Sequence, residues 1–269
     1  MSTLDLDPEL DDRAERASER DYVNSLARGL EVIRVFTRHR PKMTLSEVAK
    51  ATGMTRATVR RFLLTLQHEG YVASDGRLYS LLPKVLELGI SALGSMDIWD
   101  VVQPIMDDLA DRLQESVFGA VLDGHDVIYV ARAMSSNRYV SIGIHIGSRA
   151  PAHCTSTGRV LLAALPDELV QDYLDRTKLV SLTPQTVTSK MKLRDAIEET
   201  RRQGWSIVDQ ELEVGLRSLS VPIRNRFGTT VAALNVCCPT PRWTIEDMRA
   251  RILTETLDAS NRIMMALQS

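Results

Sequence analysis

The feature that most constrains the fold of this chain is a pair of short helices predicted on either side of Gly53. The segment TLSE at residues 44–47 fits a capping box, in which an N-cap hydroxyl and a glutamate three residues later satisfy unpaired helix amides. Gly53 ends this helix, because the residue after a helix often takes the left-handed conformation that glycine tolerates best. Thr55 can cap the next helix. The sequence therefore predicts a helix, a tight turn and a second helix.

The second of these helices has an apolar side and a cationic side. At about 100° per residue, four apolar residues fall on one arc: Val59, Phe62, Leu63 and Leu66. Three arginines fall outside that arc: Arg56, Arg60 and Arg61. A helix anchored by its apolar arc keeps the guanidinium groups outside, as in a helix-turn-helix whose second helix enters the major groove of DNA. The alternative at this point is a small helical domain with a solvated arginine face.

The flanking segments complete a winged helix-turn-helix over residues 22–82. An upstream helix, predicted from Ser25 to Phe36, offers three apolar residues to the same core: Leu26, Leu30 and Ile33. Downstream, Asp75-Gly76 separates two short β-prone runs, a spacing typical of a β-hairpin. Arg77 in this hairpin is then placed to reach a DNA phosphate.

Charge is distributed unevenly along the chain and indicates an anionic partner for this segment alone. Residues 1–21 hold three arginines and eight acidic residues, and we expect a disordered or frayed acidic tail there. Residues 22–95 hold eleven Lys or Arg and five Asp or Glu, a net charge of +6 inside a protein of net charge -2. A compact basic segment in an acidic chain indicates a polyanion, and double-stranded DNA fits.

Length and composition bound the other possibilities. A chain of 269 residues exceeds one ordinary domain and suits two. The hydrophobic fraction of 44% and the charged fraction of 25% are those of a soluble globular protein. No apolar run reaches the roughly 18 residues that a membrane span needs. The three cysteines, two of them adjacent, form no disulfide framework, so we expect a cytoplasmic protein.

The second half of the chain predicts an α+β domain over residues 100–269, joined by a helical linker over residues 83–99. A first helix is expected near Val101, followed by a hairpin that turns at Asp123-Gly124. Further strands are predicted at four segments: YVSIGI, WSIVD, RSLSVPI and VAALNVCC. Strands that follow one another in sequence favour an antiparallel sheet, here flanked by helices.

No catalytic centre is predicted in this domain. His153 and Cys154 are adjacent, so in an extended segment their side chains point to opposite faces and are poorly placed to act on each other. Cys154 is interpreted as a small buried hydrophobic residue, and only one of Cys237 and Cys238 is expected to face the core. His145 could approach His153 and Cys154 in space, but the histidines lack zinc-ligand spacing. We therefore expect neither a metal, nor a cofactor, nor enzymatic activity.

Binding chemistry is predicted where APAHCTSTGR, residues 150–159, leads into a helix. Exposed amides at a helix N-terminus attract a carboxylate, and the hydroxyls of Ser156 and Thr157 would lie alongside. The alternative for Ser156 taken alone is an ordinary N-cap. Four arginines are candidates for neutralising a second carboxylate: Arg132, Arg138, Arg149 and Arg217.

Ordered blocks along the chain resemble the IclR-type bacterial transcriptional regulators. The blocks are SLARGLEVI (25–33), TLSEVAKATGMTRATVRRFLLTL (44–66), EGYV (69–72), LDGHDVIYVAR (122–132), GSRAPAHCTSTGRVLLA (147–163) and DQELEVGLRSLSVPI (209–223). Several look most like the subgroup that controls aromatic-acid catabolism through the β-ketoadipate pathway. The resemblance implies a winged helix-turn-helix followed by a GAF-like effector-binding domain.

The predicted sites follow from these two domains. The DNA-binding residues are expected in the basic segment: Thr44, Thr55, Arg56, Ala57, Thr58, Arg60, Arg61 and Arg77. Carried over by position, the resemblance implies an effector pocket formed by Ser156, Thr157, Asp209, Ser218, Asn235 and Cys237. Asp209 has the alternative of holding its own loop through backbone bonds. The family commonly has lysine where this chain has Arg159, and Thr157 is bulkier than many equivalents, which leaves the identity of the effector open.

Together these observations predict a DNA-binding transcriptional regulator that senses a small organic acid, either a keto-dicarboxylate or a hydroxybenzoate. DNA half-sites lie about one helical turn apart, so a dimer contact must set their spacing, and the upstream helix and the linker are candidates. The resemblance suggests dimers that pair into tetramers. The alternative is a GAF-like small-molecule-binding protein or enzyme with an incidental basic domain.

Overall fold

The computed structural model describes residues 22–37, 39–88, 98–135 and 143–267. Its contacts form two compact units that divide between residues 95 and 96. Each unit combines helices with antiparallel strands, which confirms the predicted α+β class with two domains. In the part of the chain that is described, no helix is long and apolar enough to cross a membrane.

The N-terminal unit is a winged helix-turn-helix. Its elements in chain order are α1 (Asn24–Arg34), β1 (Lys42–Thr44), α2 (Leu45–Thr52), α3 (Arg56–His68), β2 (Val72–Ser74) and β3 (Leu78–Leu81). The strands form an antiparallel sheet in the order β1-β3-β2, so the predicted hairpin of β2 and β3 gains a third strand. Three residues are too few to show a strand alternation, and for this reason the sequence does not indicate β1.

The predicted start and stop signals of α2 and α3 are confirmed. The Thr44 hydroxyl accepts from the Glu47 amide at 3.3 Å, and the Glu47 carboxylate accepts from the Thr44 amide at 2.7 Å, which completes the capping box. Gly53 follows α2 with a φ of 67°, in the left-handed region. Thr55 caps α3 by accepting from the Thr58 amide at 3.3 Å. The side chains of this segment therefore fix where α3 begins.

A small aliphatic core holds the N-terminal unit together. Val59 and Leu63 of α3 are fully buried, and Phe62 and Leu66 pack beside them half-buried, as the predicted arc requires. Complete burial of one such aliphatic side chain contributes about 1.5–3 kcal/mol. These contacts anchor one side of α3 and leave its opposite side in solvent.

The first helix, α1, turns a different face to this core than its sequence predicts. Leu26 and Leu30 are predicted inside but are 63% and 39% exposed, whereas Val32 is fully buried. Gly29 lies on the side of α1 that faces Phe62, where an added Cβ would be 3.8 Å from the ring, an ordinary van der Waals distance. The side of α1 that carries Gly29 packs on α3, and Leu26 and Leu30 form an exposed apolar stripe.

The C-terminal unit contains a six-stranded antiparallel sheet in the order β6-β5-β4-β9-β8-β7. Its strands are β4 (Ser116–Asp123), β5 (Asp126–Ala133), β6 (Arg149–Pro151), β7 (Ser206–Asp209), β8 (Leu216–Arg224) and β9 (Thr230–Pro239). Its helices are α4 (Ile98–Leu113), α5 (Ser156–Ala163), α6 (Asp167–Arg176), α7 (Lys190–Gln203) and α8 (Leu253–Ala266). A helical turn, Ile245–Asp247, and a π-helical stretch, Met248–Ile252, precede α8.

Helices cover both faces of this sheet. Residues of α4 and α8 pack on one face, and residues of α5, α6 and α7 pack on the other. The central strands consequently bury side chains in both directions. The expectation that only one of Cys237 and Cys238 faces the core is wrong for this reason, since both are buried, one in each of the two cores.

Local details of this unit also differ from expectation. The turn between β4 and β5 consists of Gly124 and His125, because Asp123 still belongs to β4 and pairs with Asp126. The strand beside β5 is β6; most of the predicted strand YVSIGI lies outside the described residues. Most of the predicted linker lies outside them as well.

Candidate functional site

The exposed side of α3 is the candidate DNA interface. Arg56, Arg60 and Arg61 are exposed, as the sequence predicts. Within the described ranges, none of their guanidinium groups forms an ion pair or a hydrogen bond. Among the described residues, no carboxylate therefore neutralises their positive charge.

The exposed arginines point in two directions around α3. Arg56 and Arg60 are four residues apart and share one side of the helix. Arg61 lies on another side with Thr58, and both line a shallow depression together with Arg28 of α1. The sequence reasoning missed Arg28 because it interpreted α1 only through its apolar residues. Two helices thus contribute cations to this surface.

The small residues at the start of the helices have mainly local contacts. The Thr44 hydroxyl donates to the Glu47 carboxylate at 2.8 Å in addition to its capping bond. The Thr55 hydroxyl lies 2.9 Å from that of Thr58. Ala57 is exposed in the first turn of α3 and offers no steric obstacle to a close approach of DNA. A DNA contact by these residues stays a prediction.

The wing formed by β2 and β3 carries Arg77 in an exposed position at its turn. The Asp75 carboxylate accepts from the amides of Arg77 and Leu78 at 2.9 and 2.7 Å and fixes this turn. These backbone hydrogen bonds, Leu78 first, lower the pKa of Asp75, and the charge of Lys42 adds to the effect. Lys42 and Arg40 are further exposed cations beside the wing. They were missed because the strand β1, which places Lys42 there, is too short to recognise.

The second candidate site is a cluster of neutral polar side chains, all buried except the half-buried Ser218, on the sheet face that α5 covers. Ser156, the first residue of α5, donates to Ser218 of β8 at 2.9 Å and lies 2.8 Å from the hydroxyl of Ser220. Asn235 of β9 donates to Ser156 at 3.1 Å and to Ser220 at 2.9 Å. The hydroxyl of Thr157 lies 3.2 Å from that of Ser220. All of these hydrogen bonds join neutral groups.

Five of the six residues predicted for an effector pocket meet in this cluster. Cys237 belongs to it because its thiol donates to the side-chain amide oxygen Oδ1 of Asn235 at 3.0 Å and its backbone pairs with Ser218. The sequence reasoning missed Ser220, which contacts three of the other members. The sequence does contain a signal for Ser220, because Ser218 and Ser220 are two residues apart in a predicted strand and so face the same side of the sheet.

Asp209 is the predicted pocket residue that the structure does not bring to the cluster. It ends β7 opposite Arg217 of β8, whose Nε donates to its carboxylate at 2.7 Å. Arg217 Nη1 also donates to the carbonyl oxygen of Trp243 at 2.5 Å. Neighbouring strand residues point to opposite faces, so Arg217 faces away from the side of Ser218. Asp209 instead supports the segment that leads to the C-terminal helix.

Arg132 is the arginine candidate that lies on the face of the cluster. It pairs across β4 and β5 with Phe118, and its guanidinium carbon lies 5.9 Å from the centre of that ring. Its Nη1 lies 3.0 Å from Nδ1 of His145. The other three arginines are held elsewhere or lie outside the described residues: Arg149 in surface ion pairs, Arg217 with Asp209, and Arg138.

The helix α5 is packed so tightly that its first turn requires glycine. A Cβ at Gly158 would lie 2.1 Å from the carbonyl oxygen of Ala152, a backbone atom that cannot move aside. All eight residues of α5 are buried. The N-terminal end of α5 is thus fixed against the segment before it, and Ser156 and Thr157 are fixed with it.

A buried ion pair ties the α5 helix to the loop after β7. Arg159 and Glu211 are each 6% exposed, and Nη2 and Oε1 are 2.6 Å apart. The other carboxylate oxygen of Glu211 accepts from the Val187 amide at 3.0 Å. Arg159, which departs from the lysine common in the resembling family, therefore has a carboxylate partner within its own domain.

His153 and Cys154 are both buried just before α5. Burial raises the pKa of the Cys154 thiol to about 12, so at neutral pH it is a thiol and not a nucleophilic thiolate. Burial also lowers the pKa of His153, whose Nε2 lies 3.1 Å from the carbonyl oxygen of Val180. Across the residues that the structure describes, no group of three or more His, Cys, Asp or Glu is arranged to hold a metal ion.

Both units match models of one protein family. The model of the IclR helix-turn-helix domain matches residues 25–76, and that of the bacterial transcriptional regulator IclR C-terminal domain matches residues 90–265. The Pca regulon regulatory protein of Pseudomonas putida is 44% identical over 240 residues, which cover 89% of this chain and 82% of that protein.

Two further proteins are similar over most of their length. The p-hydroxybenzoate hydroxylase transcriptional activator of Acinetobacter baylyi is 34% identical over 233 residues, 85% of this chain and 86% of that protein. A protein of Rhodococcus sp. RHA1 with a crystal structure is 46% identical and superposes with a TM-score of 0.81, over 91% of this chain and 98% of that chain.

Proposed function

This chain belongs to the IclR family of bacterial transcriptional regulators, and from that premise we propose that it controls genes for the catabolism of an aromatic acid. The names of its relatives support this assignment, since one regulates a Pca regulon and another activates a p-hydroxybenzoate hydroxylase gene. In this proposal, the N-terminal unit binds operator DNA in the cytoplasm and the C-terminal unit binds a small carboxylic acid.

The observation that carries the DNA-binding part is the exposed cationic side of α3. Arg56, Arg60 and Arg61 have no partner within the described residues, while the apolar side of the same helix is buried. Arginine suits an operator because its planar fork can bond guanine bidentately as well as pair with phosphate. Arg77 on the wing and Arg28 on α1 extend the cationic surface to the DNA backbone.

DNase footprinting on the DNA upstream of the gene and its neighbouring operon tests this part. We expect a protected palindromic site whose affinity falls steeply with salt, because phosphate contacts release condensed counterions. Absence of any protected site, with and without candidate acids, would overturn the assignment.

An assembly of two or four copies is the second part of the proposal. The stripe of Leu26 and Leu30 is exposed on α1, next to Tyr22 and Val23, which are 66% and 59% exposed. A second copy that covers this stripe would bury the apolar surface and set the spacing of two DNA half-sites. Analytical ultracentrifugation of the wild type and of Leu26→Glu tests it: the wild type should sediment as a dimer or tetramer, and the variant should dissociate.

The effector site of the proposal is the neutral polar cluster at the start of α5. The Gly158 amide donates to the Thr155 hydroxyl that caps α5. The amides and hydroxyls of Ser156 and Thr157 suit a carboxylate, which a helix N-terminus attracts. Arg132 lies on the same face and is suited to neutralise a second acidic group. An acid can regulate only through different affinities for two arrangements of the protein, typically about 1–3 kcal/mol. Operator affinity measured with and without each acid tests this part.

A further inference from the structure

Ser116, the first residue of β4, is a buried residue whose polar group the fold leaves unused. Its side chain is 0% exposed, and its hydroxyl makes no hydrogen bond within the described residues. A buried hydroxyl without a partner is unfavourable and uncommon in folded proteins. Neither the fold nor the DNA-binding surface accounts for a serine at this position.

The strand register places Ser116 on the face of the polar cluster. Successive strand residues alternate between faces, so Ser116 shares a face with Phe118, which packs in the core under α5. Ser116 lies directly opposite Cys237 of β9, and Cys237 lies opposite Ser218 of β8. The three residues form a row across three strands, about 10 Å from end to end at the usual strand spacing.

The two ends of this row differ in their hydrogen bonding. At one end, Ser218 accepts from Ser156, and the neighbouring polar groups satisfy one another. At the other end, Ser116 lies opposite Cys237 in its own row, and the next row on this face holds Phe118 and Asn235. The Asn235 amide donates to Ser156, Ser220 and the Leu219 carbonyl oxygen, and the Ser116 hydroxyl has no partner among the described residues. A ligand that enters beside α5 and lies along the row would bring the missing partner to Ser116.

The surroundings of this end also fit a planar or linear organic acid. Phe118 lies in the row next to Ser116 and packs edge to face against Tyr129 with ring centres 5.5 Å apart, and Tyr129 pairs with Ala120 farther along β4. The two rings form an apolar wall that runs from beside Ser116 along β4. Burial raises the pKa of Tyr129, so its hydroxyl stays protonated and neutral. The wall offers contact area to the body of the ligand, and Ser116 offers a single hydrogen bond at its end.

We propose that Ser116 determines the specificity of the effector site by hydrogen bonding a hydroxyl or keto oxygen remote from the carboxylate that is held at α5. The inference rests on the proposed function, because it assigns one residue of that same site. The ligand class is a carboxylic acid with a further oxygen substituent. An acid that lacks this oxygen fills the same space but leaves Ser116 unpaired, so it binds less tightly.

Isothermal titration calorimetry on the full-length protein tests the proposal with two matched pairs of acids. One pair is 4-hydroxybenzoate and benzoate, and the other is 3-oxoadipate and adipate, so the pair that responds also identifies the source of the oxygen. In the wild type, we expect the oxygen-bearing acid of one pair to bind more tightly than its partner. Ser116→Ala should reduce that preference by about tenfold, by weakening only the oxygen-bearing acid.

Two further variants separate this role from a structural one. Ser116→Thr retains the hydroxyl and should retain the preference. Thr256→Val removes a buried hydroxyl that is satisfied by the Ile252 carbonyl at 2.6 Å in α8, on the other face of the sheet, and should leave the preference unchanged. The melting temperature of the ligand-free protein should fall in Thr256→Val but not in Ser116→Ala, since only the former loses a hydrogen bond.

The possible results separate failure of the inference from failure of the proposed function. The inference is overturned if Ser116→Ala keeps the wild-type preference, or if it weakens both acids of a pair equally. Binding of none of the four acids would overturn both the inference and the effector part of the proposed function. Loss of operator binding in footprinting would contradict the DNA-binding part alone.

Discussion

The two candidate sites of this protein differ in how they use polar groups. On α3, full positive charges stand in solvent without partners among the described residues, and the residues that carry them lie within six positions of one another. In the C-terminal unit, neutral hydroxyl, thiol and amide groups are buried and bonded to one another, and they come from α5, β8 and β9. Exposed charges can bind an extended polyanion, whereas a small ligand needs an enclosed and pre-formed set of polar groups.

The same residue type behaves differently in these two regions. Arg60 on α3 is exposed and unpaired within the described residues, and Arg159 on α5 is 6% exposed and paired with Glu211. We therefore expect changes on α3 to alter binding but not stability, and changes around α5 to alter stability first. The following predictions test this contrast.

The largest effect is expected for Arg159→Met, which leaves the carboxylate of Glu211 buried without its cation. Breaking a buried ion pair in this way costs about 3–5 kcal/mol. Urea unfolding followed by circular dichroism should show this loss in the transition of the C-terminal unit. Arg176→Met is the matched control, because the pair of Arg176 and Asp172 is exposed and is worth about 0.5 kcal/mol. Equal losses in both variants would contradict the contrast.

Asn235→Ala removes the amide that links β9 to α5. Its Nδ2 donates to Ser156, to Ser220 and to the Leu219 carbonyl oxygen, so we expect a loss of about 2–3 kcal/mol in the free energy of unfolding. Calorimetric binding of the acids should weaken in the same variant. Ser260→Ala, which removes one hydrogen bond to the Pro222 carbonyl oxygen, is the control and should cost about 1 kcal/mol without any change in acid binding.

Arg60→Ala should weaken operator binding by about 1–3 kcal/mol and leave the free energy of unfolding within about 0.5 kcal/mol of wild type. A gel shift at several salt concentrations measures the affinity and its salt dependence. If Arg60 contacts a base, specificity relaxes at one base pair; if it contacts a phosphate, the salt slope falls by about one. Arg176→Ala, an exposed arginine in the other unit, should leave DNA binding unchanged. Unaltered operator binding by Arg60→Ala would contradict the assignment of α3 to the DNA interface.

The smallest effect is expected at alkaline pH. Burial raises the pKa of Cys154 from 9.0 to about 12, so above pH 9 the unfolded chain releases a proton that the folded chain retains. Stability is therefore fully present below pH 9 and falls as pH rises toward 12, with a loss of about 1 kcal/mol from this thiol at pH 9.5. Urea unfolding at a series of pH values should show a shallower decline for Cys154→Ala. An identical decline in both proteins would contradict the assignment to this thiol.

Much of the N-terminal unit could be predicted because its signals are local. The capping box joins residues three apart, Thr55 caps its own helix, and Asp75 fixes a turn of two residues. The error in this unit concerns α1, whose apolar stripe has a helical period but faces away from the core. Periodicity identifies an apolar side and does not say whether the same molecule covers it.

The buried site was predicted only in part because its contacts are distant in sequence. Ser156 and Ser218 are 62 residues apart, and Asn235 and Ser156 are 79 apart. Composition and spacing carry no signal for such pairs, so the predicted members came from the family resemblance. Ser116 and Ser220 follow from strand register, and Asp209 is displaced from the cluster by that same register, which pairs it with Arg217.

Thr44 is at once the last residue of β1 and the cap of α2. No residue between β1 and α2 could act as a hinge. The edge strand of the three-stranded sheet and the start of α2 therefore move together. A rearrangement that repositions the sheet on the sugar–phosphate backbone must consequently move α2 as well. We therefore expect the whole N-terminal unit to dissociate from the operator in one step, without prior release of the wing or of α3 alone.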